Sequence, residues 1–221
     1  MNLTKAITFS NEIANVCSDY IRDTYLSQFR TPEIEFDGPS VYQGGYHDRQ
    51  NKIVIGKFGR CLAVRLNFII RHELGHAVVH QMNPEVVHID FYNGDVRSLS
   101  EGLAQVIEKE LRTPLETAGL FSSDRSSQVL YRLLAHTSPC YWIDYYQGQH
   151  LPARQGERSV RQLIAKGKTL HEIISAIPDQ SFQQSIPFTC KPKWSVPLLE
   201  EDAEFRGWKA IDRLHQSITA V

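Results

Sequence analysis

Residues 69–80, IIRHELGHAVVH, place three histidines and one glutamate within a dozen positions. Apolar residues recur at helical spacing through and around this stretch, and they predict a helix over 63–81. The Asn-Pro pair at 83–84 ends that helix, because proline disfavours helical backbone at the residue before it. Residues four apart in a helix lie on one face, about 6 Å apart along the axis. His72 and His76 can therefore present imidazole nitrogens to one metal ion.

The position of Glu73 beside this pair of histidines suits a catalytic base in a hydrolase. Glu73 lies about 100° further around the helix, too far to bind the same ion but close enough to hydrogen-bond a metal-bound water. Zinc lowers the pKa of its water and polarises a carbonyl group, while a carboxylate can pass the proton to a leaving amine. The alternative is a chance match in a histidine-rich amphipathic helix. Against it, Gly75 costs helix stability, which indicates that another element packs closely there.

The third ligand has to come from another part of the chain. His80 continues the spacing of four, but it lies about 12 Å along the axis from the first motif histidine, so one ion cannot bind both. Residues 98–111, SLSEGLAQVIEKEL, predict a second helix with Glu101 at its start. Two histidines and one glutamate are a known ligand set for catalytic zinc, which predicts one Zn²⁺ per chain. The alternative role for Glu101 is a capping box with Ser98. Glu108, two turns further along the same face, is a candidate for orienting a ligand histidine.

HELGH followed by SEGLA resembles the gluzincins, zinc metallopeptidases in which a His-Glu-x-x-His helix is completed by a glutamate on a later helix. The resemblance covers residues from about 40 to 112. It implies that His72, His76 and Glu101 bind the zinc and that Glu73 is the catalytic base. It also implies a zincin-like α+β fold, in which a small twisted mixed sheet packs on the motif helix and an edge strand binds an extended peptide.

The branch of the family and the oxyanion donor stay open. Met82 stands where the third histidine of the metzincins would fall, which excludes that pattern, and 24 residues separate the second motif histidine from the proposed glutamate ligand. Enzymes of this kind use a downstream tyrosine or histidine to stabilise the oxyanion. The stretch CYWIDYYQGQH offers Tyr141, Tyr145, Tyr146 and His150. Tyr146 is the preferred candidate, but such aromatic clusters more often form core or groove walls, so none is assigned.

The rest of the chain predicts the elements around this helix. A helix over about 8–28 with Ser10 as its N-cap is followed by a short strand within 34–36 and a hairpin over 41–55. The alternation in VVHIDFY predicts another strand over 86–92. A mainly helical part follows, with helices predicted over 126–135, 141–147, 159–165, 169–177 and 198–218.

Composition and cysteine placement bound the function classes. The net charge is −1 and no apolar run is long enough to span a membrane, so we expect no nucleic-acid and no membrane partner. Four scattered cysteines and an N-terminal stretch without an apolar signal region favour the cytoplasm, although export without a signal is left open. Residues 1–177 are predicted to form the catalytic domain. Residues 178–221 are predicted to form a linker or strap and a last helix packed on that domain.

The sequence therefore predicts a zinc metallopeptidase, acting as an endopeptidase on peptide or protein substrates bound in extended form. Three alternatives stay open: a regulatory protease of one partner protein, a hydrolase of non-peptide amides, and a metal-holding binding module without turnover. An intact Glu73 argues against the binding module, since a structural zinc site needs no general base and usually has four protein ligands.

Overall fold

The protein has a mixed α+β fold. The computed structural model describes residues 2–38, 44–56, 63–90, 94–121 and 150–186. The elements of this part are, in chain order, α1 (Leu3–Thr24), β1 (Glu33–Gly38), β2 (Gly44–His47), a 3₁₀ turn (Asp48–Gln50), β3 (Lys52–Gly56), α2 (Ala63–Met82), α3 (Glu85–Asp90), α4 (Gly94–Glu110), α5 (Arg112–Thr117), α6 (His150–Ala165), α7 (Leu170–Ala176) and α8 (Gln180–Ser185). No helix in this part is long and apolar enough to cross a membrane.

The three strands form a small mixed sheet in the order β1-β3-β2. β1 runs parallel to β3, with Ile34 opposite Ile53, and β2 runs antiparallel to β3, with Tyr46 opposite the same residue. Asn51 adopts a left-handed conformation (φ 49°) in the hairpin turn, and its amide donates to the carbonyl of Thr31. The predicted hairpin and the mixed sheet are confirmed for the described residues. Among these strands β2 lies at an edge of the sheet, and it packs on α2.

The helix α2 lies at the centre of the described core. It packs against α1, α4 and the sheet, and Leu66, Ile70 and Leu74 are completely buried along its length. Burial of each such side chain stabilises the fold by about 1.5–3 kcal/mol. The predicted helix over 63–81 is confirmed, so the His-Glu-x-x-His motif sits on a helix of the described core.

The first helix begins earlier than predicted. Asn2 is its N-cap and accepts from the backbone N–H of Lys5 at 2.9 Å. Ser10, the predicted cap, is buried inside the helix, where its hydroxyl donates to the carbonyl of Ala6 at 2.6 Å. A serine can satisfy its hydroxyl on the carbonyl four residues back, so its presence does not by itself mark a helix start.

The predicted strand over 86–92 is wrong, because residues 85–90 form the helix α3. The side chain of Asn83 accepts from the backbone N–H of Glu85 at 3.2 Å, and Val86 is buried at the first turn. The side-chain bond fixes a turn at this point, which overrides the weak strand preference of a short valine-containing run.

The C-terminal part is described only as far as residue 186. The predicted helix over 159–165 is confirmed as the second half of α6, and α7 begins with the capping box of Thr169 and Glu172. The segment predicted as a linker from 178 contains the short helix α8. The helices predicted over 126–135, 141–147 and 198–218 lie outside the described residues, and the division at 177 stays a prediction.

Candidate metal centre

The centre lies where α2 and α4 approach each other most closely. A Cβ atom on Gly75 would lie 2.7 Å from the carbonyl oxygen of Ala104, so only glycine fits at this position. The packing requirement predicted from this glycine is confirmed. Gly102 faces Gly156 and lies at the contact between α4 and α6.

This close approach brings the three predicted ligands together. The Oε2 atom of Glu101 lies 3.4 Å from Nε2 of His72 and 3.7 Å from Nε2 of His76. The three ligand atoms lie within 4.8 Å of one another, and the two imidazole rings are nearly perpendicular, at 88°. Tetrahedral zinc with bonds of about 2.0–2.1 Å holds its ligand atoms about 3.4 Å apart. These three side chains therefore fit one ion of that size with little movement.

The position of Glu101 excludes its alternative role as a cap. The helix α4 begins at Gly94, two turns before Glu101, so this glutamate lies inside the helix. Ser98, the predicted cap, is buried within α4. The capping-box alternative was wrong because residues 94–97 continue the helix backwards.

Glu73 points towards the sheet. Its Oε2 atom accepts a hydrogen bond of 2.9 Å from the backbone N–H of Tyr46 in the edge strand β2, and only 8% of the residue is exposed. The carboxylate is thus held beside the triad by a second structural element. Sequence analysis missed Tyr46, because a backbone donor has no residue signature.

His72 has a second acidic neighbour, as predicted for Glu108. The Oε2 atom of Glu108 lies 3.8 Å from Nδ1 of His72, and Glu108 is only 3% exposed. Its other oxygen lies 3.3 Å from Nη1 of Arg71, a residue that is completely buried and that the sequence did not single out. A buried ion pair therefore stands behind the first histidine.

The electrostatics of the centre couple its charges tightly. Burial lowers the pKa of His72, but the carboxylates of Glu101 and Glu108 outweigh it and raise that pKa well above its usual value. Burial raises the pKa of Glu101, but the two imidazoles hold it well below its usual range. The pKa of His76 is also raised, since the effect of Glu101 exceeds that of burial. In the metal-free chain, Glu101 thus favours its ionised form and the two imidazoles favour their protonated form.

His80 lies outside this cluster. Its ring centroid is 6.1 Å from that of His76 and 5.6 Å from that of Tyr46, and neither of its nitrogens has a hydrogen-bond partner among the described residues. Burial, together with the neighbouring His76, lowers its pKa to about 4. The prediction that His80 does not join the other two histidines agrees with this placement.

The candidates for the oxyanion donor cannot be placed. Tyr141, Tyr145 and Tyr146 lie outside the described residues, and His150 begins α6 at a position whose side chain is not described. Their roles stay predictions.

Comparison of the chain with known protein families, with curated proteins and with solved structures finds no match. The geometry of the centre combines three side chains that could hold a metal ion with an anchored carboxylate at the edge of a sheet.

Proposed function

We propose that this chain is a zinc-dependent metallopeptidase of the gluzincin type. In this proposal His72, His76 and Glu101 bind one Zn²⁺, and Glu73 is the general base. The observation that carries it is the convergence of the three ligand atoms within 4.8 Å, from two helices whose contributing residues are far apart in sequence. A small mixed sheet packed on the motif helix supports the zincin-like fold that the resemblance implies.

The residues present suit hydrolysis of an amide. A zinc ion held by the triad would lower the pKa of a coordinated water and polarise the substrate carbonyl. Glu73 would accept a proton from the attacking water and deliver it to the leaving amine. The hydrogen bond from the backbone of Tyr46 fixes one oxygen of Glu73, which restricts the carboxylate to a narrow range of orientations. A base held in this way favours turnover over mere metal storage.

The edge strand β2 supports a peptide as the substrate. The N–H of Tyr46 points to Glu73 and not to β3. In an antiparallel pair the N–H and C=O of one residue point the same way, so the carbonyl of Tyr46 also faces away from β3. An extended peptide beside the carbonyl of Tyr46 would pair with the sheet edge and lie next to the catalytic carboxylate. Pairing of this kind uses main-chain groups, so it suits peptides and protein segments in general.

The test combines metal content with activity. Purified protein is expected to contain about one zinc per chain by mass spectrometry, and Glu101→Ala should lose most of it. Glu73→Gln should keep the zinc but lose about 10²–10⁴-fold in cleavage of a quenched peptide library. Glu110→Ala is the matched control, because it removes a carboxylate from the same helix about 13 Å further along.

Three outcomes would overturn the proposal in whole or in part. Absence of stoichiometric zinc in every variant, even after zinc is added back, would leave no metal centre. Full zinc retention in Glu101→Ala would show that the third ligand lies elsewhere. If zinc binds but no peptide or amide is cleaved, the binding module without turnover takes its place. A library in which one sequence alone is cleaved would instead identify the narrowly specific protease.

A further inference from the structure

We propose that Arg71 is a positioning residue of the metal centre. It holds Glu108 so that this carboxylate fixes the ring of His72 with Nε2 turned towards the metal position. This inference rests on the proposed function and deepens it, because it names the residues that determine how tightly the centre binds its ion. Neither the motif nor the ligand set specifies an arginine at this position.

The guanidinium of Arg71 is fixed from several directions. Nη1 donates to the backbone carbonyl of Glu108 at 2.7 Å and to Oε1 of the same residue at 3.3 Å. Nε donates to Oδ1 of Asn67 at 2.7 Å, and the ring of Phe121 lies 5.2 Å from the central guanidinium carbon. Asn67 in turn donates to the carbonyl of Leu120 at 3.3 Å. Such a network leaves the buried arginine one orientation, and it ties α2 to α4 directly behind the motif.

Glu108 divides its two oxygens between Arg71 and His72. Oε1 accepts from the arginine, and Oε2 faces Nδ1 of the histidine at 3.8 Å, a distance too long for a hydrogen bond in the metal-free chain. A neutral imidazole carries one proton, so a carboxylate that favours the proton on Nδ1 leaves the lone pair on Nε2. Nε2 is the atom that faces Glu101, at 3.4 Å. Metal binding at Nε2 makes the Nδ1–H a stronger donor and would draw it towards Glu108.

The charge balance explains why the residue behind Glu108 is an arginine. Glu73, Glu101 and Glu108 bring three negative charges to a largely buried region. A divalent ion and the guanidinium of Arg71 balance them. Without Arg71, the buried Glu108 would have no fixed cation on its far side, so its carboxylate would be free to turn away from His72. Nδ1 of His72 would then lose the neighbouring oxygen that favours a proton on it.

The test measures zinc affinity and the tautomer of His72 in the full-length chain. Affinity is obtained by competition with a chelator, and the tautomer by ¹⁵N NMR of the imidazole in the metal-free chain at alkaline pH, where the ring is neutral. Arg71→Met keeps the length of the side chain and removes its charge. We expect it to weaken zinc binding about 10- to 100-fold and to shift His72 away from the Nδ1–H form. Arg71→Lys, which keeps the charge, should restore part of both.

A double variant and a control separate positioning from general stability. If Arg71 acts through Glu108, Arg71→Met should add little to the effect of Glu108→Gln, because the two changes remove the same interaction. Arg112→Met is the control, since Arg112 also lies over the ring of Phe121, at 5.7 Å. It should leave the zinc affinity and the tautomer of His72 unchanged.

The inference fails if folded Arg71→Met matches the wild type in both zinc affinity and tautomer. If that variant does not fold, the folded variants Arg71→Lys and Glu108→Gln decide, and wild-type values in both would overturn the inference. A wild-type chain that binds no zinc would overturn the proposed function alone. In that case the tautomer of His72 in the metal-free chain, recorded at alkaline pH where the ring is neutral, still tests whether Arg71 acts on it through Glu108.

Discussion

His72, His76 and His80 repeat every four residues along one face of α2, yet they lie in two different environments. The first two face Glu101 and have raised pKa values, whereas the third has a pKa of about 4 and no hydrogen-bond partner among the described residues. The helix α4 touches α2 at Gly75, between the first two histidines, and the sheet edge packs beside the third. Spacing alone lets either neighbouring pair of these histidines share one ion, so tertiary packing decides that it is the first pair.

Replacement of each histidine by leucine would break this comparison most directly. Loss of a residue that orients a metal ligand typically weakens metal binding 10- to 100-fold. We expect His76→Leu to weaken zinc binding by more than this, because it removes a proposed ligand itself. We expect His80→Leu to bind zinc as the wild type does. Competition with a chelator measures both. Equal losses in the two variants would place His80 in the metal site and remove the distinction between them.

The close contact at Gly75 places α4 beside the first two histidines and not beside the third. A larger side chain at this position is therefore the next test. Gly75→Ala would place a methyl group 2.7 Å from the carbonyl oxygen of Ala104. We expect the free energy of unfolding of the metal-free protein to fall by about 1–3 kcal/mol, although alanine has the better helix propensity. Zinc binding should weaken too, since Glu101 moves away with α4. A variant as stable as the wild type in urea would show that the close approach does not depend on this glycine.

The local part of the centre could be predicted from the sequence because it depends on helix geometry alone. The positions of His72, His76 and Glu73 relative to one another follow from the helical repeat, and Gly75 indicated a close neighbour before that neighbour was known. Glu101 was found through its residue type, although its helix was given too late a start. These inferences need no knowledge of which elements meet.

The long-range part could not be predicted, because its partners are set by the fold. Arg71 is separated from Glu108 by 37 residues, and an arginine beside a motif is ordinarily expected at the surface. Tyr46 contributes a backbone N–H, which any residue but proline could supply. Residues 86–92 were assigned to a strand because a short alternating run does not distinguish a strand from a brief helix.

The opposite pKa shifts of the histidines predict how zinc binding depends on pH. At pH 7 the raised pKa of His72 keeps its ring protonated in the metal-free protein, whereas His80, with a pKa of about 4, is neutral. Zinc needs the neutral ring, so binding must release the proton of His72. We expect the affinity to rise with pH, about tenfold (1.4 kcal/mol) per unit for each proton released, until the pH exceeds the pKa of that ring.

Calorimetric titration in buffers of different ionisation enthalpy measures this release. At pH 7 the heat of zinc binding should change linearly with the ionisation enthalpy of the buffer. The slope should correspond to at least one proton released per zinc. His80→Leu should give the same number, since the ring of His80 is already neutral at that pH. A heat that does not vary with the buffer would contradict the raised pKa of His72.

The smallest expected effect concerns His80 alone. Its two unpaired, buried nitrogens cost stability, so His80→Leu should raise the free energy of unfolding by about 1 kcal/mol at pH 7. The gain should widen as the pH falls. Because the folded-state pKa is about 4 and the usual value is 6.5, the unfolded chain binds a proton between these pH values that the folded chain does not. Folding is therefore penalised by His80 in acid, and leucine removes that penalty.

Urea unfolding between pH 8 and pH 4, on metal-free protein, measures both parts of this expectation. His171→Leu is the control, because it removes a histidine from an exposed position on α7 and should leave the pH dependence as it is. If the curves of wild type and His80→Leu run parallel, the ring of His80 is as free to take up a proton in the folded protein as in the unfolded one. Burial would then not hold the ring of His80 neutral, and the comparison of the three histidines would rest on their distance from Glu101 alone.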